Sequence, residues 1–133
     1  MNNEDRRHGS FDNIRYGDVV WVNLGEAFGS EQGGIRPAMV ISNDKNNMFS
    51  PKVSIAPISS SINKRTNKAY LPTHIPISPN EDGVTGLSRE SVILCEETKP
   101  VDKSRIIDKS GHISNACIIN KLNKALTIQY NMV

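Results

Sequence analysis

The stretch GSEQGGIRPAMVIS contains a single arginine, Arg36, between a glycine-punctuated polar loop and an apolar run that begins with proline. An arginine side chain is always charged, and its planar fork matches two oxygens of a phosphate group. Glycines allow close approach of the backbone and offer amide donors to an anion. Four of them precede Arg36: Gly25, Gly29, Gly33 and Gly34. The loop therefore favours an anion-binding site, and the alternative that it leaves open is a solvated surface arginine.

A second candidate group is the hydroxyl of Ser59, at the end of the apolar run KVSIAPIS. We expect it to face the rim where the strand leaves the core. A serine nucleophile needs a neighbouring base, and the three histidines, His8, His74 and His112, show no triad spacing. The sequence thus disfavours a serine hydrolase, and a lone serine at a strand end more often caps its own turn.

Basic and aromatic side chains in loops form a third set of candidates. Lys64, Arg65 and Lys68 lie close together in a polar segment. Such a cluster can follow a phosphate backbone, although charged runs are more often solvated faces. Phe28 and Phe49 stand in loops, where aromatic rings can stack on nucleic-acid bases.

Length and composition limit the class of protein. The 133 residues fit one domain, and a net charge of +2 does not by itself indicate a nucleic-acid partner, so any basic surface must be concentrated on one face. No CxxC, HxH or HExxH pattern occurs, so we expect neither a metal nor another cofactor. Cys95 and Cys117 are interpreted as buried reduced thiols. With no signal peptide and no membrane-spanning run, the sequence predicts a cytoplasmic protein without a membrane partner.

The apolar pattern predicts a mainly β fold with one C-terminal helix. Closely spaced strands followed by a single helix favour a small antiparallel barrel over a doubly wound sheet. Residues 43–51 are interpreted as a turn-rich connection, Pro37 as the first residue of its strand, and Ser114 as the helix N-cap. Residues 1–13 are interpreted as a flexible extension and 14–133 as a single domain. The predicted strands are 18–24, 37–43, 52–59, 72–78 and 90–98, and the predicted helix is 114–132.

Several segments taken together resemble the MazF/PemK family of toxin endoribonucleases, from about Tyr16 to Tyr130. They are YGDVVWVNLG, GSEQGGIRPAMVISND, APIS, LPTHIPI and SVILCEETKPVDKSRI, in this order. The resemblance implies the SH3-like barrel of the CcdB/MazF/PemK type, a homodimer, and a MazE-like antitoxin whose disordered tail blocks the site. It also implies metal-independent cleavage of single-stranded messenger RNA by 2′-OH attack, which leaves cyclic-phosphate or 3′-phosphate ends and 5′-OH ends.

The resemblance also assigns roles to residues. The catalytic arginine and hydroxyl of the family correspond to Arg36 and Ser59, with serine here where threonine is common. The general base is open between Glu31 and a water molecule. Glu97 stands where relatives have glutamine, so the recognised RNA sequence is expected to differ if this position contacts a base. From loop position or resemblance, the expected RNA-binding residues are Phe28, Ser30, Glu31, Gln32, Phe49, Lys64, Arg65, Leu71 and Glu97.

Two other functions are compatible with the same fold. One is a non-catalytic toxin of the CcdB type that binds DNA gyrase, for which an arginine–hydroxyl pair would be unnecessary. The other is a degenerate interaction module without activity. For the homodimer, Trp21 and the terminal segment TIQYNMV are the expected sources of contact surface.

Overall fold

A computed structural model describes residues 13–60, 71–79 and 85–132. Two short 3-10 turns, Cys95–Glu97 and Lys103–Arg105, flank the sixth strand. The helices are α1 (Asp44–Phe49) and α2 (Ala116–Gln129). The strands are β1 (Asp18–Asn23), β2 (Ile35–Val40), β3 (Lys52–Ser59), β4 (His74–Ile77), β5 (Ser91–Leu94), β6 (Lys99–Asp102) and β7 (Ile106–His112). The predicted extension, apart from Asn13, and the basic segment with Lys64, Arg65 and Lys68 lie outside the described residues.

The seven described strands form one sheet in the order β4-β5-β3-β2-β1-β7, with β6 paired to β3. Every pairing is antiparallel. The predicted mainly β fold with a C-terminal helix is therefore confirmed. None of the helices among the described residues is long and apolar enough to cross a membrane.

The alternation of side chains along β3 gives the sheet a buried cluster on each face. Ala56 and Ile58 join the cluster that α2 covers. Val53 and Ile55 join the other cluster, with residues of β1, β2 and β6. Because successive strand residues point to opposite faces, β3 needs apolar residues at nearly every position, as a strand buried on both faces does.

The helix α2 packs through the stripe that the spacing predicted: Ile118, Leu122 and Ala125 are buried. Its N-cap, however, is Asn115 rather than Ser114. The Asn115 Oδ1 accepts hydrogen bonds from the amides of Cys117 at 2.8 Å and Ile118 at 3.2 Å. Both residue types are good caps, so composition alone placed the start one residue too early.

Three other predictions of local structure were wrong. The strand β2 begins at Ile35, so Pro37 lies inside it, opposite Trp21 of β1. The connection 43–51 contains α1, whose cap Asn43 accepts a hydrogen bond from the Asn46 amide. The last predicted strand ends at Leu94, and β6 and β7 follow it. Those two strands carry only one buried residue each, so they lack the apolar alternation that marks a strand.

The two cysteines lie in different surroundings. Cys95 is buried, and its burial, followed by the neighbouring charge of Glu96, raises the pKa of its thiol to about 12. Cys117 is exposed, so the prediction of two buried thiols was wrong for this residue. It stands in the first turn of α2, off the stripe that faces the sheet.

Candidate functional site

The loop between β1 and β2 is closed at its neck by backbone hydrogen bonds. The Gly34 amide donates to the Gly25 carbonyl at 2.8 Å, and the Leu24 amide donates to the Gly34 carbonyl at 2.9 Å. Gly25 has a φ of 80° and Gly34 a φ of 74°, a conformation that glycine adopts without steric cost. The neck therefore fixes where the loop ends and where Arg36 begins to project from β2.

Arg36 is half-buried, and its guanidinium is held by the same loop. Its Nε donates a hydrogen bond to the Gly33 carbonyl at 3.0 Å. Gly33 itself lies close against the backbone of Ala27. A Cβ at this position would stand 2.6 Å from the Ala27 nitrogen. Among the described contacts this is the one hydrogen bond of the side chain, so the donors on its two Nη atoms remain for an anion.

Ser59 is the last residue of β3 and is fully buried, whereas its strand-end position predicted a hydroxyl at the rim. The register pairs Ala38 of β2 with Pro57 of β3. The observed pairing ends there. Extrapolated by two residues along each strand, the register would set Arg36 level with Ser59 and on the same face of the sheet.

A cavity of about 370 Å³, called here the loop cavity, lies between the loop and the turn Cys95–Glu97. The Gln32 amide donates to Glu97 Oε1 at 2.9 Å and so ties the loop to the turn. The side-chain oxygen Oε1 of Gln32 is buried and finds no hydrogen-bond partner within the described part of the chain. The cavity is lined by Leu24, Ser30, Glu31, Gln32, Pro57, Glu96, Glu97, Thr98 and Lys99. With three carboxylates against one lysine, its lining is rich in acceptors.

The sequence and the fold resemble those of known proteins. Residues 15–130 match the PemK-like, MazF-like toxin family of type II toxin–antitoxin systems. The chain belongs to this family. The Bacillus subtilis (strain 168) endoribonuclease EndoA is 39% identical to the toxin over 120 residues, which cover 90% of the toxin and 97% of EndoA. The endoribonuclease MazF of Staphylococcus saprophyticus is 39% identical over 119 residues, 90% of the toxin and 92% of that protein.

Solved structures show the same fold at lower identity. MazF of Deinococcus radiodurans superposes on the toxin with a TM-score of 0.70 at 24% identity, over 90% of the toxin and 97% of that chain. A mycobacterial endoribonuclease, solved in complex with its cognate antitoxin, superposes with a TM-score of 0.69 at 18% identity, over 90% and 97%. These neighbours confirm the predicted toxin fold.

The predicted RNA-binding residues of the toxin lie in several places. Ser30, Glu31, Gln32 and Glu97 line the loop cavity. Phe28 is 82% exposed and Phe49 76% exposed, so both rings are open to stacking. Leu71 is also exposed. Lys64 and Arg65 fall outside the described residues.

The sequence did not identify a hydrogen-bonded group that supports one wall of the loop cavity. Glu96 accepts hydrogen bonds from Thr73 Oγ1 at 3.1 Å and from His74 Nε2 at 2.7 Å. The Leu71 amide donates to His74 Nδ1 at 3.2 Å, so the neutral ring carries its proton on Nε2. The group fixes the segment after Leu71 against the turn Cys95–Glu97. Glu96 lies 23 residues from Thr73 and 22 residues from His74 in sequence, and no local motif joins it to them.

Proposed function

We propose that this toxin is an endoribonuclease that cuts single-stranded messenger RNA at a short sequence without a metal ion. The observation that carries the proposal is the guanidinium of Arg36, which the Gly33 carbonyl holds at 3.0 Å with its two Nη groups left for an anion. EndoA and MazF, both named endoribonucleases, support it at 39% identity. Those relatives favour RNA cleavage over the gyrase-binding alternative.

The proposed reaction uses the RNA as its own nucleophile. The 2′-OH attacks the adjacent phosphorus and the bond to the 5′ oxygen breaks. The 5′ oxygen takes a proton from water, so that a cyclic phosphate and a 5′-OH end result. Negative charge grows on the phosphoryl oxygens, where the two Nη groups of Arg36 donate hydrogen bonds. A preorganised donor of this kind contributes about 3 kcal/mol to stabilisation of the transition state. The Ser59 hydroxyl, which is buried in the free protein, joins them only when the end of β3 opens to the RNA. Arginine is a poor base, so the 2′-OH proton passes to Glu31, an exposed carboxylate at the loop cavity, or to water.

The loop cavity is proposed to hold a base rather than a phosphate. Its carboxylates repel a phosphate, whereas the partnerless Oε1 of Gln32 and the carboxylates accept hydrogen bonds from ring and amino N–H groups. A base with several donors on one edge, such as guanine, fits this lining better than one with a single donor. By resemblance to the family, position 97 carries glutamate where relatives carry glutamine. A carboxylate only accepts hydrogen bonds, so this residue makes the lining richer in acceptors.

The first test is cleavage of a long single-stranded RNA by the purified protein in EDTA. We expect discrete cuts with 5′-OH ends and a shared sequence around them. Single 2′-deoxy substitution at the cut nucleotide should abolish cleavage, because it removes the nucleophile. Cleavage that requires an added metal ion, or that leaves 5′-phosphate ends, would overturn the proposed chemistry.

The toxin is also proposed to be a homodimer that a cognate antitoxin inhibits. The end of α2 and the residues after it expose Ile128, Tyr130 and Met132, which is surface that a second copy can cover. Trp21 is half-buried and lines a different cavity, so it offers less surface than its sequence position suggested. A crystal structure of MazE–MazF from Deinococcus radiodurans supports an antitoxin partner.

Sedimentation of the purified protein at micromolar concentration tests the dimer. A mass of about twice the 14.7 kDa chain is expected. Substitution of both Tyr130 and Met132 by serine should shift the equilibrium toward the monomer, since it removes exposed apolar area without changing the core. A wild-type protein that sediments as a monomer would contradict this part of the proposal.

A further inference from the structure

A second cavity, of about 260 Å³, lies beside β2 and is called here the β2 cavity. Two arginines, Arg36 and Arg89, face it together with the serines Ser60, Ser88 and Ser91. Among the residues that the structure describes, no carboxylate lines it. The β2 cavity is therefore a basic site with hydroxyl donors, the opposite in charge of the loop cavity.

The charge of Arg89 has no partner among the residues that the structure describes, where its exposed side chain makes neither an ion pair nor a hydrogen bond. The adjacent carboxylate, Glu90, accepts a hydrogen bond from Ser78 Oγ at 2.9 Å. Two guanidinium groups at one small cavity repel each other, and bound anions remove that repulsion. A phosphate group meets the charge and the geometry of each fork, so two adjacent phosphates of one strand can occupy the two arginines.

The backbone that carries Arg89 is firmly supported. Gly86 has a φ of 73° and is pressed against β7, because a Cβ there would stand 2.3 Å from the Ser110 carbonyl oxygen. The Ser110 hydroxyl donates to the Thr85 carbonyl at 3.2 Å. The Ser91 hydroxyl donates to the Arg89 carbonyl at 3.0 Å. Arg89 thus projects from a fixed segment on which little backbone entropy is lost when a ligand binds.

We infer that the β2 cavity is a second phosphate subsite for RNA, and that Arg89 binds the backbone phosphate next to the one that Arg36 holds. This inference rests on the proposed ribonuclease function. It assigns each cavity a different part of the substrate: the basic β2 cavity takes the backbone and the acceptor-rich loop cavity takes a base. Arg89 contributes to binding of substrate and transition state alike, so its loss acts on KM more than on kcat.

The test uses the full-length protein and a short RNA that contains the mapped cut site. Binding is measured at several salt concentrations with the 2′-deoxy form of this RNA, which is not cut, and kcat and KM are measured with the cleavable form. We expect Arg89→Ala to raise Kd and KM by about tenfold to a hundredfold, as loss of a charge-assisted hydrogen bond does. The salt slope of log Kd should decrease by about 0.7, the value for one phosphate contact on a single strand.

Two further variants serve as controls. Arg89→Lys should retain the salt slope, because it retains the charge. Arg15→Ala removes an exposed arginine that lines neither cavity, and its effect measures the general contribution of one positive charge. If Arg89→Ala changes Kd and the salt slope no more than Arg15→Ala does, the subsite does not exist. A wild-type protein that cuts none of the RNAs offered to it would overturn the proposed function. The salt slopes measured with an uncut single-stranded RNA would then still show whether Arg89 contacts a backbone phosphate.

Discussion

Replacement of Arg36 by alanine is expected to lower kcat/KM for RNA cleavage by about a thousandfold. Loss of one preorganised donor to a developing oxyanion typically costs two to three orders of magnitude in rate. Arg36 supplies two Nη donors and a full charge, so we expect a rate loss of three orders of magnitude rather than two. The unfolding temperature should change little, because the half-buried side chain makes one described hydrogen bond, to the Gly33 carbonyl.

The measurement is single-turnover cleavage of the mapped RNA, with a thermal unfolding curve for each variant. Arg105→Ala is a suitable matched control. Arg105 also donates a hydrogen bond to a backbone carbonyl near the loop, from Nη1 to the Asn23 oxygen at 3.2 Å, but it lines neither cavity. Arg36→Lys should recover a small part of the rate, since it keeps the charge and loses the fork. Wild-type cleavage by Arg36→Ala would remove this residue from the catalytic site.

The predicted fold succeeded where the sequence carries a strong pattern. β3 was predicted with its observed limits, 52–59, because apolar residues fill nearly all of it. β7 was missed because Ile106 is its one buried residue, and the others are held by backbone pairing and by polar side-chain contacts. Backbone pairing leaves no mark in the side-chain pattern, so an exposed edge strand of this kind is invisible to periodicity.

Some residues of the candidate site could also be predicted from the sequence, and others could not. Arg36 could be found because its glycines, its polar loop and its proline are adjacent in the chain. Arg89 could not, because Arg36 and Ser60, which share its cavity, come from other parts of the sequence and meet it only in the folded protein. The Glu96–His74 pair is likewise a product of the β4–β5 register, which sets His74 opposite Leu94. Sites made by neighbouring residues are predictable, whereas sites made by tertiary contacts require the structure.

Substitution of Gly33 by alanine is expected to lower kcat/KM by about a hundredfold with little loss of stability. The backbone of Gly33 lies outside the left-handed region, so alanine meets no conformational penalty there. Its Cβ would, however, stand 2.6 Å from the nitrogen and 2.8 Å from the Cα of Ala27, backbone atoms that cannot rotate away. The loop must therefore shift, and the carbonyl that holds Arg36 Nε shifts with it. A displacement of about 1 Å at a reacting centre is enough for a loss of this size.

The contrast with Gly29→Ala separates a steric cause from a conformational one. Gly29 has a φ of 61° and no atom within 4 Å of an added Cβ, so alanine there meets strain but no clash, and cleavage should stay within a few-fold of wild type. The double variant with Arg36→Ala then tests the route of the effect. If Gly33 acts by placing the guanidinium, adding Gly33→Ala to Arg36→Ala costs almost nothing further, because the group that it positions is already gone. If the double variant instead loses activity by the product of the two single losses, the loop contributes to cleavage by a route other than Arg36.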